Sequence, residues 1–397
     1  MSRMGFAMSK EKAPSQDLRP RAGRNTVAIS EEDVERTGRA RRHQGLVALV
    51  ILAGMVVLMA GPARASVTHP AQTITRDTVW SAIDPIHIVA GDVVVALGAT
   101  LTIEAGCVVK FQNNGCAMFA GLSVNGTLNA VGTAGAPITF TSYRDDAAGG
   151  DTNGDGGATI PAAGDWERIQ FGATSTGSQM SYCTVRYGGR ASAGGCGTIA
   201  VAMVDVIGSS PQFDHCTFSN ARAHAMSFKS GAASIVSNSS ITASGSCAAI
   251  QDTSAAPQFQ STTMTGNPGG NGIELNGGTI QSNNRWRAMG VPFVLTADVT
   301  VATGVTLTID PGCVVKFYNN GCSMFAGLFV NGTLNAAGTI GAPITLTSFW
   351  DDAAGGDTNN DGAATAPGAG NWERVQFNST STGSQMSYCT VRYGGRA

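Results

Sequence analysis

Residues 100–191 and 306–397 are one 92-residue text written twice at a constant offset of 206, without a gap and with about four positions in five identical. A chain that repeats itself over this length folds by stacking like units. From Ser175 to Ala191, and from Ser381 to Ala397, the copies do not differ at all. The likeness reaches back to Trp80 and Trp286, which sets copies at 79–191 and 285–397 around a unique segment, 192–284.

Within the unique segment a shorter period of 23 residues aligns Pro211-Gln-Phe213, Ser234-Ile-Val236 and Pro257-Gln-Phe259, with Phe218, Ile241 and Met264 following at the same interval. Each block is a set of short alternating strands, and no 3.6-residue apolar stripe occurs anywhere. Such a block is too short to bury a core alone, so it suits one rung of a solenoid. The long copies use the same grammar, with Gly98, Gly106, Gly121, Gly126 and Gly132 between strands where turns need a residue without Cβ. Lining up Met180, Cys183 and Val185 with Phe213, Cys216 and Phe218 predicts one inner stack, a cysteine ladder rather than a disulfide, because parallel Cβ vectors disfavour the bond.

Residues 1–65 are different. They hold eleven Lys or Arg and lead into the apolar run Leu46 to Ala60 and then Ala63-Arg64-Ala65. This is the pattern of a secretory signal cut before Ser66, or, if uncut, of an anchor. Fifteen apolar residues fall short of the roughly 20 a span needs, which favours cleavage. The remainder carries 14 Lys or Arg against 21 Asp or Glu, a formal charge of −7. That leaves no basic stripe for nucleic acid and no second membrane-length run. The expected location is secreted or cell surface. All nine cysteines lie in the exported part, and the odd number leaves at least one free or paired between chains.

The strings TLTIEAGCVVKF, VNGTLNAVGTAGAPITFTS, GGDTNGDG, GDWERIQF and MSYCTVRYGG resemble those of secreted bacterial proteins with right-handed parallel β-helix repeats, related in fold to the pectate-lyase group. The resemblance covers roughly residues 79–397 and implies an all-β right-handed parallel β-helix over 66–397, behind the N-terminal signal segment. It implies export too. Activity stays open, because such proteins include adhesin-like surface proteins and polysaccharide-degrading enzymes. The first copy runs on into further rungs while the second stops at Ala397; the expectation is a piece of a longer protein, or an end that pairs with another chain.

The sharpest local signal is Asp151-Thr-Asn153-Gly-Asp155-Gly156, repeated as Asp357-Thr-Asn359-Asn-Asp361-Gly362. Oxygen ligands at positions 1, 3 and 5 with Gly at 6 form the first half of a calcium loop. Position 12 holds Ala162 or Gly368 instead of Glu, so Asp145 and Asp146 (Asp351 and Asp352) are expected to complete the shell. The alternative is a solvated turn whose Asp and Asn side chains cap their own backbone. Four carboxylates within eleven residues repel one another without a cation, so structural calcium and the self-capped turn both stay open.

A lyase or glycosidase would need a convergent set of acids and bases. The unique rungs supply Asp214, His215, Arg222, His224, Lys229 and Asp252, with Asp214 and His215 expected on opposite faces of a strand. Trp166 and Trp372, each followed by Glu-Arg, either offer a sugar ring a platform or pack at a strand start; packing is the expectation. The duplicated loops suit multivalent binding or length extension better than one active site. The sequence therefore predicts a non-catalytic exported module in adhesion, contact with polysaccharide or cell-surface glycan, or envelope structure, with a polysaccharide lyase or glycoside hydrolase as the alternative.

Overall fold

A computed structural model describes residues 66–113, 115, 118–194, 197–319 and 325–396. The expected signal segment and Cys116, Cys196 and Cys322 lie outside them. The chain is an all-β parallel solenoid with the architecture of a right-handed β-helix, and among the described residues there is no helix. Three sheets of eight, 14 and seven strands carry the first copy and the central rungs.

The 23-residue period is the rung. Met180 pairs with Phe213, Phe213 with Val236 and Val236 with Phe259 on the third sheet. Val185, Phe218, Ile241 and Met264 form the matching column on the first. All of them are buried. Alternate residues of a strand face opposite ways, so a strand of three contributes one or two side chains inward, and like stacks on like from rung to rung.

The corner between these two sheets is a single residue in left-handed conformation: Tyr182, His215, Asn238 and Ser261, with φ of 49, 52, 49 and 49°. None is glycine. The ladder continues through the corner, with the amides of Tyr182, His215 and Asn238 donating to the carbonyls of Asp214, Ser237 and Gln260, which offsets the backbone strain. This corner corrects the expectation for Asp214 and His215. His215 is not a strand residue, and its ring bonds the Asp214 carboxylate at 2.7 Å while stacking on Tyr182 at 4.6 Å.

Directly after the corner come Cys183, Cys216, Ser239 and Thr262, one small donor per rung. The Cys183 thiol donates to the Ala130 and Ser181 carbonyls, Cys216 to Met180 and Asp214, Ser239 to Ser237 and Thr262 to Val236. The ladder position therefore selects a short X–H group, and Cys, Ser and Thr each meet the need. The six described cysteines are free thiols. Cys107 and Cys313 donate likewise to Trp80 and Trp286.

Burial pushes these thiols up, to about 11 for Cys107 and about 12 for Cys313 against an ordinary 9.0. Above pH 9 the unfolded chain releases thiol protons that the fold retains, so stability falls as pH rises from about 9 toward those values. Two buried lysines described below and Cys216, whose pKa is lowered by its contact with Cys183, act in the opposite direction, but five raised thiols outnumber them. Urea unfolding at pH 7.5 and 10.5 should show the loss. The Cys107→Ser/Cys313→Ser chain, which keeps both donors, should show less of it; an unchanged pH dependence would reject this account.

The two copies are not set on the same faces. Strands Val108–Phe111, Ile138–Ser142 and Cys183–Arg186 belong to the eight-stranded sheet, whereas their counterparts Val314–Phe317, Ile344–Ser348 and Cys389–Val391 continue the 14-stranded sheet. The second copy is turned by one face about the solenoid axis. Two long strands, Gly270–Ile280 and Phe293–Val301, make the change. Residues 293–295 pair with 315–317 and 299–301 with Leu328–Val330, so one strand serves two faces. Gly277 and Gly278, at φ of 70 and 107° beside a register shift, allow the bend.

Candidate metal centre

Each copy sends a long loop out between strands Ile138–Ser142 and Ile169–Phe171, or Ile344–Ser348 and Val375–Phe377. The loop lies back over the outside of earlier rungs, and Gly149 and Gly355 come against Ile86 and Pro292, where a Cβ would sit 3.3–3.4 Å from those side chains. An outward lysine on the strand beneath pins it. Lys110 Nζ donates to the Gly150 carbonyl at 2.7 Å and the Thr152 hydroxyl at 2.9 Å, and Lys316 does the same to Gly356 and Thr358. Both lysines are 0% exposed. Burial lowers their pKa, to about 8 for Lys316, against the pull of the neighbouring aspartates. The sequence reading missed them, although a lysine amid the apolar run VVKF, kept in both copies, was the available signal.

Within this loop the carboxylates of Asp146, Asp151 and Asp155 converge, each offering an oxygen within 4.8 Å of the others, and Asp352, Asp357 and Asp361 repeat the arrangement. Asp151 accepts the amides of Gly154, Asp155 and Gly156. Asp155 accepts those of Gly157, Ala158 and Thr159 along with the Thr159 hydroxyl and the Asn153 amide. To this extent the loop is the self-capped turn of the alternative reading, and Asp155 is close to saturated.

Two oxygens are left over. Asp146 Oδ1 and Asn153 Oδ1 are buried with no donor, and so are Asp352 Oδ1 and Asn359 Oδ1 in the other copy. An acceptor shut away from water without a donor is destabilising, and here it recurs on the same two residues twice. Burial, then the charges of Asp151 and Asp155, push the Asp146 pKa up; burial and Asp357 do so at Asp352. The carboxylate least able to tolerate its charge is the one whose oxygen lacks a partner.

The expectation that Asp145 and Asp351 complete the shell is not met. Asp145 is buried, and its Oδ2 accepts from Thr141 and pairs with Arg186 at 2.6 Å; Asp351 does the same with Thr347 and Arg392. Arg186 lies 41 residues from Asp145 in sequence, one rung away in space. Each loop thus gathers four carboxylates against Lys110 and Arg186, or Lys316 and Arg392, a formal local charge of −2.

Of the remaining candidates all but Arg222, which is exposed, are committed to structure. Trp166 and Trp372 are fully buried, stacked on Phe111 at 4.3 Å and Phe317 at 4.1 Å, with the indole N–H on the Arg186 or Arg392 carbonyl. They present no platform. Asp214 is bonded to His215, Ser237 and Asn238, Asp252 caps the amides of Ser230, Ser254 and Ala255, and His224 pairs with Glu274. Lys229 meets Asp205 at 3.0 Å, which also takes Arg168 and Gln170 and is 2% exposed beneath them. Acids and bases do meet on this face, as neutralised pairs.

Comparison with known proteins agrees with the architecture. Residues 72–215 match the pectate-lyase like beta helix domain. A stretch of 97 residues, 24% of the chain, is 35% identical to Protein bark beetle of Drosophila melanogaster, of which it spans 3%. No solved structure gives a significant match. Within the parallel solenoid, residues 72–215 are thus similar to the pectate-lyase-like β-helix domain.

Proposed function

We propose that this chain is an exported, non-catalytic β-helix module whose two acidic loops are ordered by calcium, and that it serves adhesion, contact with polysaccharide or cell-surface glycan, or envelope structure. The observation that carries the calcium reading is the pair of donorless oxygens, Asp146 Oδ1 and Asn153 Oδ1, recurring as Asp352 Oδ1 and Asn359 Oδ1 beside each carboxylate cluster. A hard divalent cation takes six to eight oxygens, and one such ion would satisfy both orphans and offset the local charge of −2. Asp146, Asp151 and Asn153 would supply the main ligands, with Asp155 chiefly shaping the loop. Its role is structural: it fastens a long loop to the rungs beneath.

Calorimetric titration of the purified chain with calcium tests this. Two sites are expected, one lost in Asp151→Ala, the other in Asp357→Ala and both in the double variant. Absence of binding returns the loops to self-capped turns. The non-catalytic reading is supported by the pairing of the central acids Asp205, Asp214 and Glu274 with Lys229, His215 and His224. Turnover of an acidic polysaccharide that disappears in Asp205→Asn would reverse it in favour of a lyase or hydrolase.

A further inference from the structure

Three arginines lie close to the first acidic loop with one carboxylate, Asp165, among them. Arg144 follows strand Ile138–Ser142, Arg190 opens Arg190–Ser192, and Arg222 comes from the unique rungs. Gly164 brings two of them together: a Cβ placed there would stand 2.8 Å from Arg222 Cδ and 3.3 Å from Arg190 Cβ. The neighbouring Asp165 is the acid of the group. It accepts from Arg144 at 3.3 Å, the Ser142 hydroxyl at 2.7 Å and the Ala162 amide at 2.9 Å.

Arg190 and Arg222 have no ion pair among the described residues. Arg190 Nε is buried without an acceptor, and its guanidinium lies 5.3 Å above the Phe119 ring. Burial and the charges of Arg222 and Arg144 lower the Arg190 pKa, with Asp165 the opposing charge. Like charges brought together, one with an orphaned donor, are the inverse of the acidic loop: the missing component is an anion.

The second copy supplies a control. Arg144 and Asp165 become Trp350 and Asn371, two of the few places where the copies differ. Arg396 keeps its place over Phe325, at 4.1 Å, with Trp350 standing where the first copy has Arg144.

We propose that Arg144, Arg190 and Arg222 form an anion-binding site that takes an oxyanion group, a sulfate, phosphate or carboxylate, between their guanidinium planes. Planar guanidinium groups match such oxygens with paired, charge-assisted hydrogen bonds. Arg222 is exposed and can move onto a ligand, while Arg190 is fixed by its ring contact and by the close packing at Gly164. The site is independent of calcium in the acidic loops.

The test is calorimetric titration of the purified chain with sodium sulfate, phosphate and acetate, at ionic strength held constant with chloride. One saturable site for at least one of these anions is expected, and the three arms identify the preferred group. Affinity should fall about tenfold or more in Arg222→Gln and in Arg144→Trp, and stay within about twofold in Arg396→Gln. Arg222→Gln alters an exposed side chain, so far-ultraviolet circular dichroism should match the parent. No saturable binding of any arm beyond chloride, or equal affinity in Arg222→Gln, overturns the proposal.

Discussion

Phe171→Ala is expected to cost about 3–5 kcal/mol. Phe171 is 0% exposed, paired through its strand with Val204–Ile207 and set edge-on to Phe213 at 5.9 Å. In a solenoid the contribution of such a side chain is a nearest-neighbour term, so the loss should appear first in adjacent rungs. Hydrogen exchange on the variant, together with denaturant unfolding, checks this. A loss spread evenly over all rungs would show that rung stacking does not set the local stability.

The second large effect concerns calcium. An ion that binds only the folded chain adds about 2.7 kcal/mol at a hundredfold excess over its dissociation constant, and there are two loops. Chelation should therefore lower the melting temperature by several degrees. Asp146→Asn gives the sharper test because its sign depends on the ion. The Asp146 charge is opposed by burial and by Asp151 and Asp155, so in chelator the neutral amide should raise stability. With calcium present it should lower stability relative to the parent, since a strong anionic ligand is gone. A variant that is stabilised equally in both conditions would show the loop to be a self-capped turn.

The rung was legible because its signal is local and periodic. Phe213, Val236 and Phe259 fall in the column their spacing predicts, and so do Phe218, Ile241 and Met264. Alternation shows which residues point inward, and the 23-residue interval shows which of them stack. Neither shows where an outward loop lies down. Asp145 and Asp146 are adjacent in sequence, yet one pairs with Arg186 across a rung and the other joins the carboxylate cluster. That division depends on which face of the loop meets Lys110. His215 was misplaced for a different reason: a left-handed non-glycine residue leaves no mark in a pattern of apolar alternation. The arginine cluster gathers residues 144, 190 and 222 from separate rungs, so no spacing rule could have assembled it.

The turn of one face between the copies bears on what the duplication can achieve. Two near-identical loops suggest two hands reaching for one surface, and linked sites gain avidity only when both engage at once. Here the loops leave from different sheets, the first from the eight-stranded and the second from the continuation of the 14-stranded. A flat layer touched by one loop is out of reach of the other. Duplication with rotation instead suits a strut that fastens to separate neighbours on different sides, as a post in a fence takes rails from more than one direction.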